Sequence, residues 1–382
     1  MPAKNRLTRN VMICYFPMIV LFVAIRIMSH YKLFSFLGTV GSYILNAAIQ
    51  ILIMFSIPIF LFSALHKRKV RETFSFYGYK KISFKAILIA IIIGIIVYIL
   101  NVFIASFFSS ILQAIGYKKT TEGIVSNYPI WLLFINLLTT AVLPAICEET
   151  AHRGMLLKGF SPIGRFAAIM ISSTLFGLMH LNIEQVFYAM AIGLVAGYIS
   201  VLCDSIYPAM IIHFVNNAIA VLMGFSASRN LGFDFIFTFI SNNLQTSPIL
   251  GILFVFFFIA TLVIALIFLV KLLFRETTMK NLGKLQEELF KEIAKEQYLQ
   301  DLEDASNGEI KENNGEVKIS FEKFDELYKS KTEDLGQTTK LENEVLNDKP
   351  YKMDFVTKIL LIAGYVLTTA VTICTLIWGL LW

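Results

Sequence analysis

Acidic residues are scarce over most of this chain. Only seven precede Glu276, although the 382 residues carry 33 Lys and Arg. Charged residues of both signs make up 16%, well below the usual quarter of a soluble globular domain. Cysteine is also rare: Cys14, Cys147, Cys203 and Cys374 occur singly, in or beside apolar stretches. No Cys-x-x-Cys pair is present, so no zinc ribbon, redox pair or disulfide framework is implied. Cys147 adjoins two carboxylates and could be read as a nucleophile, but a small apolar residue in a packed bundle explains it more simply. Gly-x-Ser-x-Gly, His-Glu-x-x-His, Gly-x-Gly-Asp and the phosphate-binding P-loop are all missing, which counts against serine, zincin-type and nucleotide-driven chemistry. No repeat of solenoid or propeller period occurs, and no nucleic-acid motif accompanies the net charge of +6.

Long apolar runs dominate what is there. The chain is 57% apolar with a mean hydropathy of +0.69. Several windows of 18 or more apolar residues can cross roughly 30 Å of hydrocarbon. The runs are continuous rather than alternating, so the expected class is an all-α polytopic membrane protein. Nine transmembrane helices are expected, over roughly 11–25, 41–65, 86–112, 130–158, 166–181, 186–202, 207–224, 248–270 and 355–381. The first is read as an uncleaved span, because no small-residue cleavage pattern follows it. A cytoplasmic N-terminus places Lys67–Arg71, Lys80, Lys81, Lys85, Lys158, Arg165, Lys271, Arg275, Lys280 and Lys284 inside. The outer loops then hold only Lys32, Lys118, Lys119 and Arg229. This asymmetry satisfies the positive-inside rule and points to a multi-pass protein of the cell membrane. Trp131, Trp378 and Trp382 fall near the expected interfaces, as aromatic anchors do.

The expected organisation is a membrane bundle over 1–270, a polar segment over 271–354 and a final span over 355–382. Residues 285–349 hold 18 Asp and Glu against 9 Lys and no Arg. An amphipathic helix suits 279–303, followed by turn-rich acidic sequence. A solvated cytoplasmic tether and a docking element for a basic protein partner both fit this segment.

Two of the seven acids sit side by side at the end of an apolar run, in Cys147-Glu148-Glu149-Thr150-Ala151-His152-Arg153. A carboxylate at membrane depth costs about 3 kcal/mol and is read as functional by default. On a helix, Glu149 and Arg153 lie four apart and form the natural buried pair, leaving Glu148 free to work. His152 stands four from Glu148 on the same face. Pro144 is expected to bend the helix just upstream and open space for water. Later apolar segments add Phe176 with His180, and His213 with Asn217. At 1.5 Å per residue, Glu148, His180, His213 and Asn217 lie about 16, 22, 12 and 18 Å from the cytoplasmic ends of their helices. They therefore share a band around the midplane. A carboxylate beside a neutral histidine can take a proton from water, and a histidine with an amide one turn away can aim donors at an oxyanion. Base, water and oxyanion donors in a dry cleft are the parts needed to hydrolyse an amide.

Glu-Glu-x-x-x-Arg (Glu148, Glu149, Arg153), Phe-x-x-x-His (Phe176, His180) and His-x-x-x-Asn (His213, Asn217) resemble the motifs of the CPBP intramembrane endopeptidases. That family includes the Ras-converting CAAX endopeptidase and bacterial abortive-infection or bacteriocin-processing relatives. The resemblance covers about residues 130–225. It implies a glutamate-type peptidase acting on a membrane-associated peptide or protein. In it Glu148 and His180 activate water, His213 and Asn217 form the oxyanion hole, Glu149, Arg153 and Phe176 give structural support, and no cofactor is required. Two other readings fit the same residues: a zinc peptidase with Glu148, His180 and His213 as ligands, and a transporter or bacteriocin-immunity protein using intramembrane acid and histidine groups.

Overall fold

The computed structural model describes residues 3–118, 129–232, 238–240, 247–306 and 353–381. The acidic sequence from 307 onward, Lys119 and the anchor Trp382 lie outside the described residues. Every long element is a helix. In chain order these are α1 (Ala3–His30), α2 (Ser35–His66), the short α3 (Val70–Phe76), α4 (Phe84–Ala114), α5 (Ile130–Ile163), α6 (Arg165–Met179), α7 (Ile183–Cys203), α8 (Tyr207–Arg229), α9 (Pro248–Ser306) and α10 (Phe355–Leu381). Among the described residues, eight helices are long and apolar enough to cross a membrane. The expected nine therefore become eight plus α6. That helix has 15 residues, about 22 Å of rise, which is short of the hydrocarbon thickness. Its apolar run stops at His180-Leu181-Asn182, where Leu181 takes a left-handed φ of 51°. The backbone of α9 continues unbroken from 248 to 306, so the amphipathic helix expected over 279–303 extends the preceding span rather than standing apart.

Local chemistry sets the helix ends. Ser83 caps α4 by accepting the Ala86 N–H at 3.1 Å, and Asn182 caps α7 by accepting the Glu184 N–H at 3.0 Å. Pro208 sits in the first turn of α8, where its missing N–H costs nothing. Asp204 and Asn230 end α7 and α8 in the left-handed region, a conformation that Asp and Asn tolerate better than most residues.

Two apolar clusters bind the helices together. One joins α1, α2, α5 and α6, with Tyr15, Met18, Met54, Phe62, Leu156 and Phe160 at its centre. The other joins α4, α7, α8 and α9 through Ile93, Ile199, Ile212 and Leu273. The helix carrying the acidic pair, α5, touches both α2 and α8. Within α5 the hydrogen-bond ladder widens twice, over Leu137–Val142 and Thr150–Leu157, so that Leu143–Glu149 is an α-helical piece between two π-helical ones. In α2 the stretch Ile49–Leu61, which includes Pro58, is π-helical as well. Pro144, where a bend was expected, lies in the first turn of the α-helical piece, and the helix is unwound on either side of the stretch that ends in Glu148 and Glu149. Such π segments recur at functional sites, because they re-aim side chains by part of a turn.

α6 and α7 pack with backbone against backbone. A Cβ on Gly177 would stand 2.7 Å from the Val186 carbonyl oxygen, and one on Gly193 would stand 3.0 Å from the Ser173 Cα. Neither neighbour is a side chain that could swing aside. Gly177→Ala is expected to destabilise the bundle by about 1–3 kcal/mol, as overpacking does. Unfolding of the purified protein by rising dodecyl sulfate fraction reads this, and an unchanged midpoint would refute the tight seating.

At the opposite end, Asp204 accepts Lys158 Nζ at 2.6 Å and also pairs with Lys80. Burial alone would raise the Asp204 carboxyl, but Lys158 and Lys80 outweigh it and hold the group below its ordinary 3.8. A carboxyl lowered on folding contributes stability above the unfolded value and loses it as pH falls through the folded one. Stability is therefore expected to drop below about pH 4, and Asp204→Asn should flatten that acid limb in unfolding curves measured from pH 2 to 7.

Candidate active site

The acidic pair divides in two directions. Glu149 is fully buried, and its Oε1 accepts Arg153 Nη1 at 3.0 Å and His213 Nδ1 at 2.8 Å. Arg153, also fully buried, donates its other terminal nitrogen to the Gly193 carbonyl of α7 at 3.1 Å. Its guanidinium lies over the Phe176 ring, 4.5 Å from the centroid. The i,i+4 pairing expected for Glu149 and Arg153 is present, and His213 joins it as a third member. Glu148 turns elsewhere: its Oε1 accepts Gln50 Nε2 from α2 at 2.7 Å.

Phe176 is the common wall. Its ring meets three imidazoles edge-on, with centroids 5.1 Å from His152, 5.2 Å from His180 and 5.5 Å from His213. A ring with a negative face and positive edges orients such neighbours more narrowly than an aliphatic side chain would. The residue read from sequence as support is thus the contact that brings the histidines and Arg153 to one place.

Hydrogen bonds assign the ring nitrogens. His180 Nδ1 stands 2.9 Å from the Phe176 carbonyl, which can only accept, so Nδ1 carries the proton and Nε2 is a free lone pair in the neutral ring. His213 donates Nδ1–H to Glu149 by the same logic, which leaves Nε2 as an acceptor unless the ring is protonated. The Glu149 carboxylate is the group that would stabilise that imidazolium. Asn217 donates Nδ2 to the Thr140 carbonyl at 3.0 Å and accepts Asn216 Nδ2 at 3.0 Å. Its amide is therefore held between α5 and α8, with one N–H left over. Glu148, Glu149, Arg153, Phe176, His180 and His213 form one connected group, and Asn217 borders it one turn along α8 from His213.

Two residues here were not singled out in the sequence. Gln50 orients Glu148, and its only signal was an amide within an apolar run. Tyr15 stands with its hydroxyl 3.1 Å from His152 Nε2, linking α1 to α5. His152 donates Nδ1–H not to the Glu148 carboxylate but to its backbone carbonyl, at 2.8 Å. This bond lies where the ladder of α5 changes from α to π spacing, a step that leaves a carbonyl in need of another donor. Among the described residues no three His, Cys, Asp or Glu side chains form a group that could hold a metal.

Residues 129–219 match the protein-family model described as Rce1-like, type II CAAX prenyl endopeptidase Rce1-like. The match takes in α5, α6, α7 and the first half of α8, and with them every motif residue named above. Over these residues the chain is similar to the CAAX-type intramembrane endopeptidases, which supports a peptidase, and its helices are those of a multi-pass membrane protein. No curated protein and no solved structure matches the chain.

Arg153 gives the sharpest test of this architecture. Arg153→Ala strands a buried carboxylate and removes the cation over Phe176, at an expected cost of about 3–5 kcal/mol. Arg153→Lys keeps the charge but cannot reach Glu149 and Gly193 together, so it should lie between wild type and Ala. Detergent-unfolding midpoints of the three proteins check the order, and equal midpoints would show the pair to be dispensable.

Proposed function

We propose that this chain hydrolyses a peptide bond in a membrane-associated protein or peptide, without a metal, using Glu148 as the base. The observation that carries this reading is the buried Glu148 carboxylate held by Gln50, with His180 and His213 set against one Phe176 ring and His180 Nε2 left as a lone pair. A water held between Glu148 and His180 loses its proton to Glu148 as its oxygen adds to the scissile carbonyl. The carbonyl oxygen becomes an oxyanion, met by the spare Asn217 N–H and by Nε2–H of a His213 imidazolium charge-balanced by Glu149. Glu148 then returns its proton to the departing amine, and the C–N bond breaks. Burial strengthens each of these interactions relative to water. The excess of Lys and Arg in one set of loops supports a cytoplasmic N-terminus in the cell membrane.

Glu148→Gln is expected to lower turnover about 10²–10⁴-fold with the unfolding midpoint unchanged. Comparative proteomics of membrane-associated peptides from cells carrying wild type or the variant identifies the substrates. Undiminished cleavage by the variant would remove Glu148 as the base. The 2.8 Å Glu149–His213 bond favours a second reading, in which His213 is the base and Glu149 orients it. That reading predicts that Glu148→Gln retains most activity while His213→Ala abolishes it.

A further inference from the structure

Hydrolysis at membrane depth needs water, and hydrocarbon does not supply it. The structure offers a place to hold water outside the site already described. A cavity of about 430 Å³ opens between α4, α7 and α8. Tyr98, Asn101, Ser109, Gln185, Tyr188 and Asn216 line it, although it is cut into three helices apolar enough to span a membrane. The cavity reaches deep. At 1.5 Å per residue, Asn101 lies about 20 Å in from Ala114, where α4 ends, and Asn216 about 20 Å in from Arg229, where α8 ends. Phe108 stacked on Phe187 at 3.8 Å ties α4 to α7 beside it.

Wall chemistry selects the occupant. The Tyr98 and Tyr188 hydroxyls and the Gln185 amide make no hydrogen bond among the described residues. Asn101 donates Nδ2 to Asn216 Oδ1 at 3.0 Å and keeps its own oxygen as an acceptor. Glu184 also borders the cavity but has partners of its own, the Tyr117 hydroxyl among them, and is not one of these open groups. Two phenols, an amide and an amide oxygen are donors and acceptors without formal charge, and they suit a small molecule that both donates and accepts. Water does so. Acyl chains do neither, and a polar group left against lipid without a partner costs free energy. The volume is far above the roughly 15 Å³ that a single water needs. The inner end of the cavity leads to the chemistry: Asn216, which accepts from Asn101, donates Nδ2 to Asn217 Oδ1 at 3.0 Å, and Asn217 borders the active-site group. We propose that this cavity is a water-filled vestibule, its water held by Tyr98, Asn101, Gln185 and Tyr188, that keeps the amide chain from Asn101 to Asn217 hydrated. Its purpose, the supply of water for hydrolysis, rests on the proteolytic reading. Its occupant is read without any cleavage.

The full-length protein, carrying Cys374→Ser to remove its exposed thiol, is given a nitroxide at Ala105→Cys or at Phe107→Cys and reconstituted in phosphatidylcholine vesicles. Ala105 lines the cavity, whereas Phe107, two residues on and about 200° round the helix, is exposed. Deuterium spin-echo modulation is recorded twice, once in D2O with ordinary lipid and once in H2O with lipid deuterated along its acyl chains. At Ala105 the D2O signal is expected to be at least about threefold deeper than at Phe107, as several waters near the label require. The acyl-chain signal should be shallower there. Tyr98→Phe combined with Tyr188→Phe removes both hydroxyls and keeps the rings, and it should lower the D2O signal at Ala105 about twofold or more. Ser109→Cys, also on the lining, gives a second label position if Ala105→Cys folds poorly. An acyl-chain signal in the cavity equal to that at Phe107 would assign the space to lipid and overturn the proposal. Cavity positions that sense neither deuterium source, or a D2O signal indifferent to loss of both hydroxyls, would overturn it too. A wet cavity with cleavage retained by Glu148→Gln spares the vestibule and removes the base. A dry cavity with that variant inactive does the reverse, so the two readings fail separately.

Discussion

Glu149 and Arg153 carry opposite charges into the middle of a lipid-facing bundle, and much of the surrounding structure exists to keep them satisfied there. Two ions removed from water cost several kcal/mol each unless their remaining donors and acceptors are met. Here α8 supplies His213 to the carboxylate, α7 supplies the Gly193 carbonyl to the guanidinium, and α6 supplies the Phe176 ring. Four helices meet at one ion pair. The small residues of the α6–α7 contact follow from the same need, because Gly193 serves both as the acceptor for Arg153 and as a point where backbones touch.

With that pair anchored, Glu148 is left to do something else. Its neighbour in sequence is locked, so the helix cannot rotate to hide it. The π-helical pieces on either side of Leu143–Glu149 turn the two adjacent carboxylates toward different partners, Glu149 to α8 and Glu148 to α2. A regular α-helix separates neighbouring residues by about 100°, and the two widened turns adjust where that angle falls. His152, set in the second of them and held by Tyr15, ties the backbone of Glu148 to α1. The first two spans, which carry no motif, thus hold Glu148 in position through Tyr15 and Gln50.

Polar contacts on α8 extend this arrangement outward. His213 faces the ion pair, Asn217 reaches back to α5, and Asn216 turns to Asn101 on α4. Three side chains within five residues therefore address two different helices, α5 twice and α4 once. Asn101, Asn216 and Asn217 thus form a chain of amides from α4 through α8 to the Thr140 carbonyl of α5.

Composition and the spacing of a few polar residues were enough to establish the class and to single out the residues that the structure gathers around Phe176. Long apolar runs leave a chain no alternative to helices in lipid, and acids or histidines are too costly at that depth to be there without use. Glu148, Glu149, Arg153, His180 and His213 were legible for that reason, and the i,i+4 pairing of Glu149 with Arg153 followed from helical geometry. The bounds of α6 were legible, 166–181 against Arg165–Met179, but its 15 residues are fewer than a full span needs. Gln50, Tyr15, the second bond of Glu149 and the direction of His152 were not legible at all. Each depends on which helix faces which, and on π-helical turns that shift a side chain by a fraction of a turn. Such features arise when separate helices settle against one another, and no local pattern along one helix encodes them.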